Sequence, residues 1–223
     1  VRDPLPPQAP PPTANAGVAG LVLAAGGARR FGSPKQLALF DGRPLLEHAL
    51  LAMAGARLID GVVVVLGAHA DAVLAGVERH GATPVICTDW GKGQAASLRA
   101  GVAALAGRAE AIVVTLGDQP AIDPRAIDRI AGARDGSSEA IRASYGGRPG
   151  HPVLLERALF DRVASLRGDE GARGLLAGSA VRVVACDGLG SDLDIDTVEE
   201  LSGGGSSAPS AAATPPRGPS APR

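Results

Sequence analysis

The segment Leu21–Lys35, LVLAAGGARRFGSPK, runs from apolar residues through small ones into three cations. Gly20–Ala25 has the length and branching of a buried strand, and Gly26-Gly27 behind it lets the backbone turn sharply. A turn of this kind points successive N–H groups into one concavity, which suits phosphate oxygens. Arg29, Arg30 and Lys35 add positive charge where a polyphosphate needs it. The same letters also fit an ordinary strand-to-helix turn with surface arginines. Lysine usage favours the chemical reading: of 22 basic residues only Lys35 and Lys92 are lysines, and both lie in glycine-containing loops. Where any cation would serve, this chain uses Arg, and a compact ammonium on a flexible stem is a different tool.

Two acidic segments could complete such a site. Ile112–Pro120, IVVTLGDQP, ends an apolar run with Asp118. A carboxylate at the end of a buried strand suits a hard cation, and magnesium takes one or two carboxylates plus substrate phosphates. Gly-Asp and Gln-Pro are equally turn makers. In Asp192–Thr197, DLDIDT, alternation around Ile195 puts Asp194 and Asp196 on one side of an extended segment. One of them could join a metal site, while Asp196 or Thr197 could cap a helix starting near Val198.

These loops need strands to hold them. Strands are predicted at Gly20–Ala25, Gly61–Leu66, Pro84–Thr88 and Ala111–Leu116, and helices at Arg43–Ala56, Ala70–Arg79, Gln94–Leu105 and Asp123–Ala133. Pro124 stands in the first turn of the last, where proline is tolerated. Apolar strands without polar alternation, interleaved with helices, imply a mainly parallel sheet buried on both faces. The later part mixes strands at Ala140–Tyr145, Val153–Leu155 and Val181–Ala185 with helices near Ala158–Leu166 and Ala172–Leu176. In open parallel sheets the ligand crevice lies at the carboxyl ends of the strands, and the loops after Ala25, Thr88 and Leu116 leave those ends.

Composition narrows the function. A formal charge of −1 argues against a general nucleic-acid binder. No apolar run is long enough to span a bilayer, and VRDPLPPQAPPPTANAG has no apolar core like that of a secretory signal. Cys87 and Cys186 offer neither a metal-ligand spacing nor a disulfide framework, which fits a reducing cytoplasm. Six of the first twelve residues are proline, and Ser202–Arg223 is built of Gly, Ser, Ala, Pro, Thr and Arg. Residues 1–17 and 202–223 are therefore expected to be disordered tails flanking one domain over residues 18–201.

Leu23-Ala24-Ala25-Gly26-Gly27-Ala28-Arg29-Arg30-Phe31-Gly32 with Lys35 resembles the signature loop of the MobA-like nucleotidyltransferases. Its L-A-A-G is closer to the molybdenum cofactor cytidylyltransferase branch (MocA-like) than to the L-A-G-G of the guanylyltransferases. The resemblance continues in family order through WGKGQAASLRAG (Trp90–Gly101), GDQP (Gly117–Pro120), GRPGHP (Gly147–Pro152), GDEGAR (Gly168–Arg173) and DIDT (Asp194–Thr197).

The resemblance implies a Rossmann-like three-layer α/β fold and transfer of a nucleoside monophosphate from an NTP. By branch, this is CMP from CTP to the terminal phosphate of molybdopterin, releasing pyrophosphate, with a molybdenum hydroxylase as eventual partner. It further implies that Leu23, Ala24, Ala25, Gly26, Gly27 and Ser97 bind the nucleotide, while Arg30 and Lys35 neutralise its triphosphate. Asp118 and Asp196 would hold Mg2+, and His151, Asp169 and Arg173 would face the acceptor.

Some residues depart from the family pattern. Ala28 stands where Ser or Gly is common, Gln94-Ala95-Ala96 replaces a Ser-rich run, and Val198 and Glu200 replace a Pro and an Asp. Other readings are a GTP-using or other NTP transferase with a different acceptor, an NAD(P)H oxidoreductase of the nicotine blue type, or a non-catalytic chaperone for the cofactor. Gly26, Gly27 and Gly32 do not fit the G-x-G-x-x-G dinucleotide spacing. His48, His69 and His80 are expected to be structural or solvated, and Lys92 either reaches a phosphate or decorates a loop.

Overall fold

A computed structural model describes residues 17–27, 33–169, 172–191, 193–195, 197 and 201. The expected tails lie outside the described residues except for Gly17, which opens the first strand, β1 (Gly17–Ala24). The chain then forms β2 (Leu39–Phe40), β3 (Arg43–Pro44), α1 (Leu45–Ala54), β4 (Val62–Leu66), α2 (Ala70–Gly76), β5 (Thr83–Ile86), α3 (Gln94–Leu105) and β6 (Ala109–Leu116). It continues through α4 (Pro124–Ala131), β7 (Ala140–Tyr145), β8 (Arg148–Glu156), α5 (Phe160–Ser165), α6 (Ala172–Leu176) and β9 (Val181–Ala185).

Seven strands form one sheet in the order β5-β4-β1-β6-β8-β7-β9. β1 pairs in parallel with β4 and β6, and β4 with β5, as uninterrupted apolar strands between helices require. β8 alone runs against its neighbours β6 and β7, and β9 returns parallel to β7. The sheet is therefore mainly parallel.

Helices cover both faces, giving three layers. Along β1, Val22 and Ala24 join the cluster under α1, α2 and α4, while Ala19 and Leu21 join the cluster under α3, α5 and α6. Successive side chains of a strand point to opposite faces, so one apolar strand feeds both cores. Leu46, Leu50 and Met53 of α1 are buried on the first face, and Leu98, Val102 and Leu105 of α3 on the second.

Local chemistry explains where elements begin. α1 starts at Leu45 rather than the predicted Arg43 because Arg43–Pro44 pairs with Leu39–Phe40. The connecting Asp41-Gly42 has φ of 47° and 78°, the left-handed pair that a two-residue hairpin demands. Asp123 caps α4, accepting the N–H of Arg125 at 2.8 Å, and Pro124 occupies the first turn as expected. The hydrogen-bonded Arg125 guanidinium also holds the Asp123 carboxyl below the usual carboxylate range. A second hairpin, around Gly146-Gly147 at φ 56° and 76°, joins β7 to β8. β8 is nine residues long, well beyond the predicted Val153–Leu155, so His151 lies inside a strand rather than in a turn leading to one.

The sheet order reverses beside β1: the chain builds β4 and β5 on one side, then crosses to β6 on the other. Ligand sites of open α/β sheets form at such a switch point, outside the carboxyl ends of the strands.

Candidate active site

A cleft of about 840 Å³ opens at that point, above the ends of β1 and β6. Leu23, Ala25, Gly26 and Gly27 line one wall, and Trp90, Gln94 and Ser97 of the α3 approach line another. Asp118, Arg142, His151, Asp169 and Asp194 supply the charged and polar groups, and Val114, Leu98, Val153 and Leu176 the apolar lining.

The loop after β1 lies close under its neighbours. A Cβ on Gly27 would come within 2.9 Å of the Trp90 ring, so only glycine lets the indole lie against the backbone there. Ala24 does not line the cleft. Its side chain faces the α1 core beside Gly117, where a Cβ would stand 2.8 Å from that of Ala24. Gly117 also donates its N–H to Leu23 O at 2.9 Å. Small residues at both positions thus bring Asp118 directly beside the loop.

Lys35 opens a 3-10 turn, Lys35–Leu37, and its Nζ donates to Asp118 Oδ2 at 2.9 Å. The Lys35 side chain is 13% exposed and that of Asp118 is 32% exposed, so the pair sits mostly buried at the rim of the cleft. Asp118 Oδ1 is buried with no hydrogen-bond partner among the described residues. An acceptor-only oxygen left in that state is what a divalent cation would satisfy, and a carboxylate is the donor type that Mg2+ takes.

The DIDT segment is latched onto the GDQP loop. Ile195 is fully buried and donates its N–H to Asp118 O at 3.1 Å. Gln119, also buried, donates from Nε2 to Asp194 Oδ1 at 2.8 Å. Asp194 thereby joins the cleft wall.

Arg30 and Asp196 lie outside the described residues, as do the side chain of Arg173 and the helix expected from Val198. Ser97, His151 and Asp169 all face the cleft, though from three different elements. The loop carrying Asp169 packs on the start of α3: Gly168 O accepts the Ala95 N–H at 3.1 Å, and Gly93 (φ 103°) has no room for a side chain against it. Lys92 pairs instead with Asp89 at 2.9 Å on an exposed turn, outside the cleft lining.

Trp90, Gln94 and Arg142 belong to the cleft without having been singled out. Trp90 and Gln94 stood within a quoted motif. Arg142 carries no motif, and it enters only because β7 pairs with β8; its guanidinium donates to Gly150 O and Pro149 O, both at 3.2 Å.

Other chemically suggestive groups sit elsewhere. Glu47, Glu78 and His80 bring three ligand atoms within 4.8 Å of one another, but Glu47 is already engaged by Arg43 and His80, each at 3.4 Å. Cys186 is fully buried, and that burial pushes its thiol up, away from the thiolate form. Among the described residues no helix is long and apolar enough to cross a membrane.

A concave loop beside a cleft, with a lysine in contact with a cleft-lining acid, suits a reaction run by positioning and charge stabilisation. The description of the MobA-like NTP transferase domain matches residues 20–187. The chain belongs to the MobA-like NTP transferase family. It therefore carries a nucleotidyltransferase domain, on the Rossmann-like fold that the sequence implied.

Two relatives span nearly their whole length in this family. Nicotine blue oxidoreductase of Paenarthrobacter nicotinovorans is 36% identical over 197 residues, covering 82% of this chain and 94% of the relative. Purine catabolism protein PucB of Bacillus subtilis (strain 168) is 33% identical over 192 residues, covering 81% and 92%. The Mycobacterium tuberculosis H37Rv protein Rv0371c superposes with a TM-score of 0.73 at 34% identity, over 85% of this chain and 97% of that one. Another structure of Rv0371c is a complex with manganese, at 33% identity and a TM-score of 0.70, covering 83% of this chain and 96% of that one.

Proposed function

We propose that this MobA-like enzyme transfers CMP from CTP to the terminal phosphate of molybdopterin and releases pyrophosphate. The observation that carries the reading is the meeting of Lys35 and Asp118 beside the Ala25–Gly27 loop, with Asp118 Oδ1 buried and unpartnered among the described residues. The L-A-A-G form of that loop favours the cytidylyltransferase side of the family and hence CTP over GTP.

The acceptor phosphate is already ionised at neutral pH, so no residue has to remove a proton. Its oxygen bonds to the α-phosphorus of CTP as the bond to the bridging oxygen breaks, and pyrophosphate departs with that electron pair. Lys35, and Arg30 by the family pattern, balance the charge that grows on the leaving oxygens. Asp118, with Asp196 by the family pattern, would hold Mg2+, which supplies further neutralisation of the phosphates when bound. Leu23, the Ala25–Gly27 turn and Ser97 seat the nucleotide, and Ala24 supports them from the core. His151 and Asp169, joined by Arg142, line the part of the cleft left for the acceptor, and Arg173 would join them by the family pattern. The product would serve a molybdenum hydroxylase in the cytoplasm, and no nucleic acid or membrane enters the reading.

A second reading has one observation in its favour. The 36% identity to nicotine blue oxidoreductase makes an NAD(P)H-dependent reduction in this cleft a competing activity. Pyrophosphate release separates the two. With Mg2+, CTP and molybdopterin present, the transferase releases one pyrophosphate per cofactor consumed. Silence in that assay, together with NADPH oxidation, would replace the first reading with the second.

A further inference from the structure

The turn that carries Lys35 also carries Gln36, whose side chain runs back beneath the loop after β1. Gln36 is 6% exposed. Its Nε2 donates to Ala24 O at 2.7 Å and to Gly26 O at 3.1 Å. The carbonyl between them, Ala25 O, accepts the N–H of Ala68 at 3.3 Å. Three successive carbonyls of the loop are therefore tied to the scaffold. The turn itself is fixed: Leu37 N–H donates to Pro34 O at 2.9 Å, and the Leu37 side chain packs so closely on α2 that Gly76 has no room for a Cβ.

Peptide geometry turns this tie into a direction. In a trans peptide the C=O and the following N–H point opposite ways. With the Ala24 and Gly26 carbonyls drawn to Gln36, the N–H groups of Ala25 and Gly27 face away from it. Ala25, Gly26 and Gly27 all line the cleft, so these donors are presented on the cleft side. Gln36 Oε1, meanwhile, is buried with no hydrogen-bond partner among the described residues. A Met or Leu would fill the volume without burying such an oxygen, so packing alone does not account for an amide here.

We propose that Gln36 is a positioning residue for polyphosphate binding, one that sets the Ala25 and Gly27 N–H groups toward the ligand before it arrives. One turn thus supplies a charge through Lys35 and an oriented backbone through Gln36. The ligand class rests on the nucleotidyltransferase reading, whereas the clamp on the loop does not.

The test uses Gln36→Met, which keeps length and volume but removes both N–H donors, and Gln36→Glu, which turns carboxylate oxygens toward two carbonyls. The first readout needs no ligand: amide order parameters of Ala25, Gly26 and Gly27 by NMR, expected near ~0.85 in the native protein and below ~0.6 in either variant. Unchanged order parameters would overturn the clamp, and either variant that folds is enough to decide. The second readout is turnover with CTP, where losing two hydrogen bonds should raise KM about tenfold and leave kcat within about threefold. A fall in kcat at unchanged KM would overturn the role in ligand binding. If the native protein binds no nucleoside triphosphate, the nucleotidyltransferase reading fails, and the order parameters still decide the clamp.

Discussion

Lys35 and Asp118 are 83 residues apart in the chain and meet at 2.9 Å, ammonium on carboxylate, at the rim of the cleft. The contact joins the turn after the first strand to the loop after β6, on the two sides of the switch point. The pair is mostly buried, but an amide in place of the carboxylate keeps a hydrogen-bond acceptor for the Lys35 ammonium, so the fold should tolerate the loss of charge. The meaning of the contact is therefore in the site. Asp118→Asn should lower turnover by about a hundredfold or more while Tm stays within about 3 °C. Pyrophosphate release and a thermal melt on the same sample check both halves.

Lys35→Arg keeps the charge and is nonetheless expected to fail. A planar guanidinium cannot replace a point charge reaching a single oxygen between a carboxylate and a phosphate. We expect kcat/KM to fall about tenfold or more, measured by initial rates at limiting CTP. Full activity in the Arg variant would mean that only charge matters at this position.

Gly117→Ala tests how Asp118 is held beside the loop. The new methyl would lie 2.8 Å from the Ala24 Cβ and 2.9 Å from Leu46 Cδ1, both in a packed core. Overpacking of this kind costs about 1–3 kcal/mol, which urea unfolding would register as a lowered midpoint.

The loops around the cleft were easier to read than its walls. Gly20–Ala25, Ala111–Leu116 and the GDQP turn announce themselves because buried strands are apolar and the turns behind them need small residues. In the DIDT segment alternation alone did not decide the facing, since Ile195 is fully buried while Leu193, two residues earlier, is exposed. Arg142 and Gln36 were not legible. Arg142 reaches the cleft through the pairing of β7 with an antiparallel β8, and three predicted residues, Val153–Leu155, gave no sign of a nine-residue strand. Gln36 acts on backbone carbonyls, and a glutamine seeking carbonyls looks like any surface glutamine in a sequence. β2 was not predicted and β3 was absorbed into the predicted helix from Arg43, because these two-residue strands carry no periodicity, only the Asp41-Gly42 turn between them.

Ile195 is also a stability prediction. Ile195→Ala removes a fully buried side chain beneath the segment that ties Asp194 to Gln119. A loss of about 2–5 kcal/mol is expected from chemical unfolding. A smaller loss would show that the DIDT segment is held by its hydrogen bonds rather than by this anchor.

Acid should weaken the fold in part through Asp135. Its carboxylate accepts the N–H groups of Ser137 at 2.9 Å and Ser138 at 3.0 Å and lies 3.2 Å from Arg182. These hydrogen bonds, foremost those from Ser137 and Ser138, hold its pKa well below the ordinary 3.8. The folded state therefore favours the charged form. Its contribution is complete above about pH 4 and is lost as pH falls through the depressed folded value. Asp135→Asn should lower Tm at pH 7, and the gap from the native protein should close on acidification below about pH 4. A gap independent of pH would assign the effect to the turn rather than to the charge.

The central claim is that this cleft takes a nucleoside triphosphate with a metal. It is tested most directly by binding titrations of CTP, GTP and NADPH in the presence of magnesium, with Lys35→Ala as the control. The account predicts that CTP binds most tightly and that its binding is lost in the variant. Preference for NADPH, with both triphosphates weak and Lys35 without effect, would contradict it.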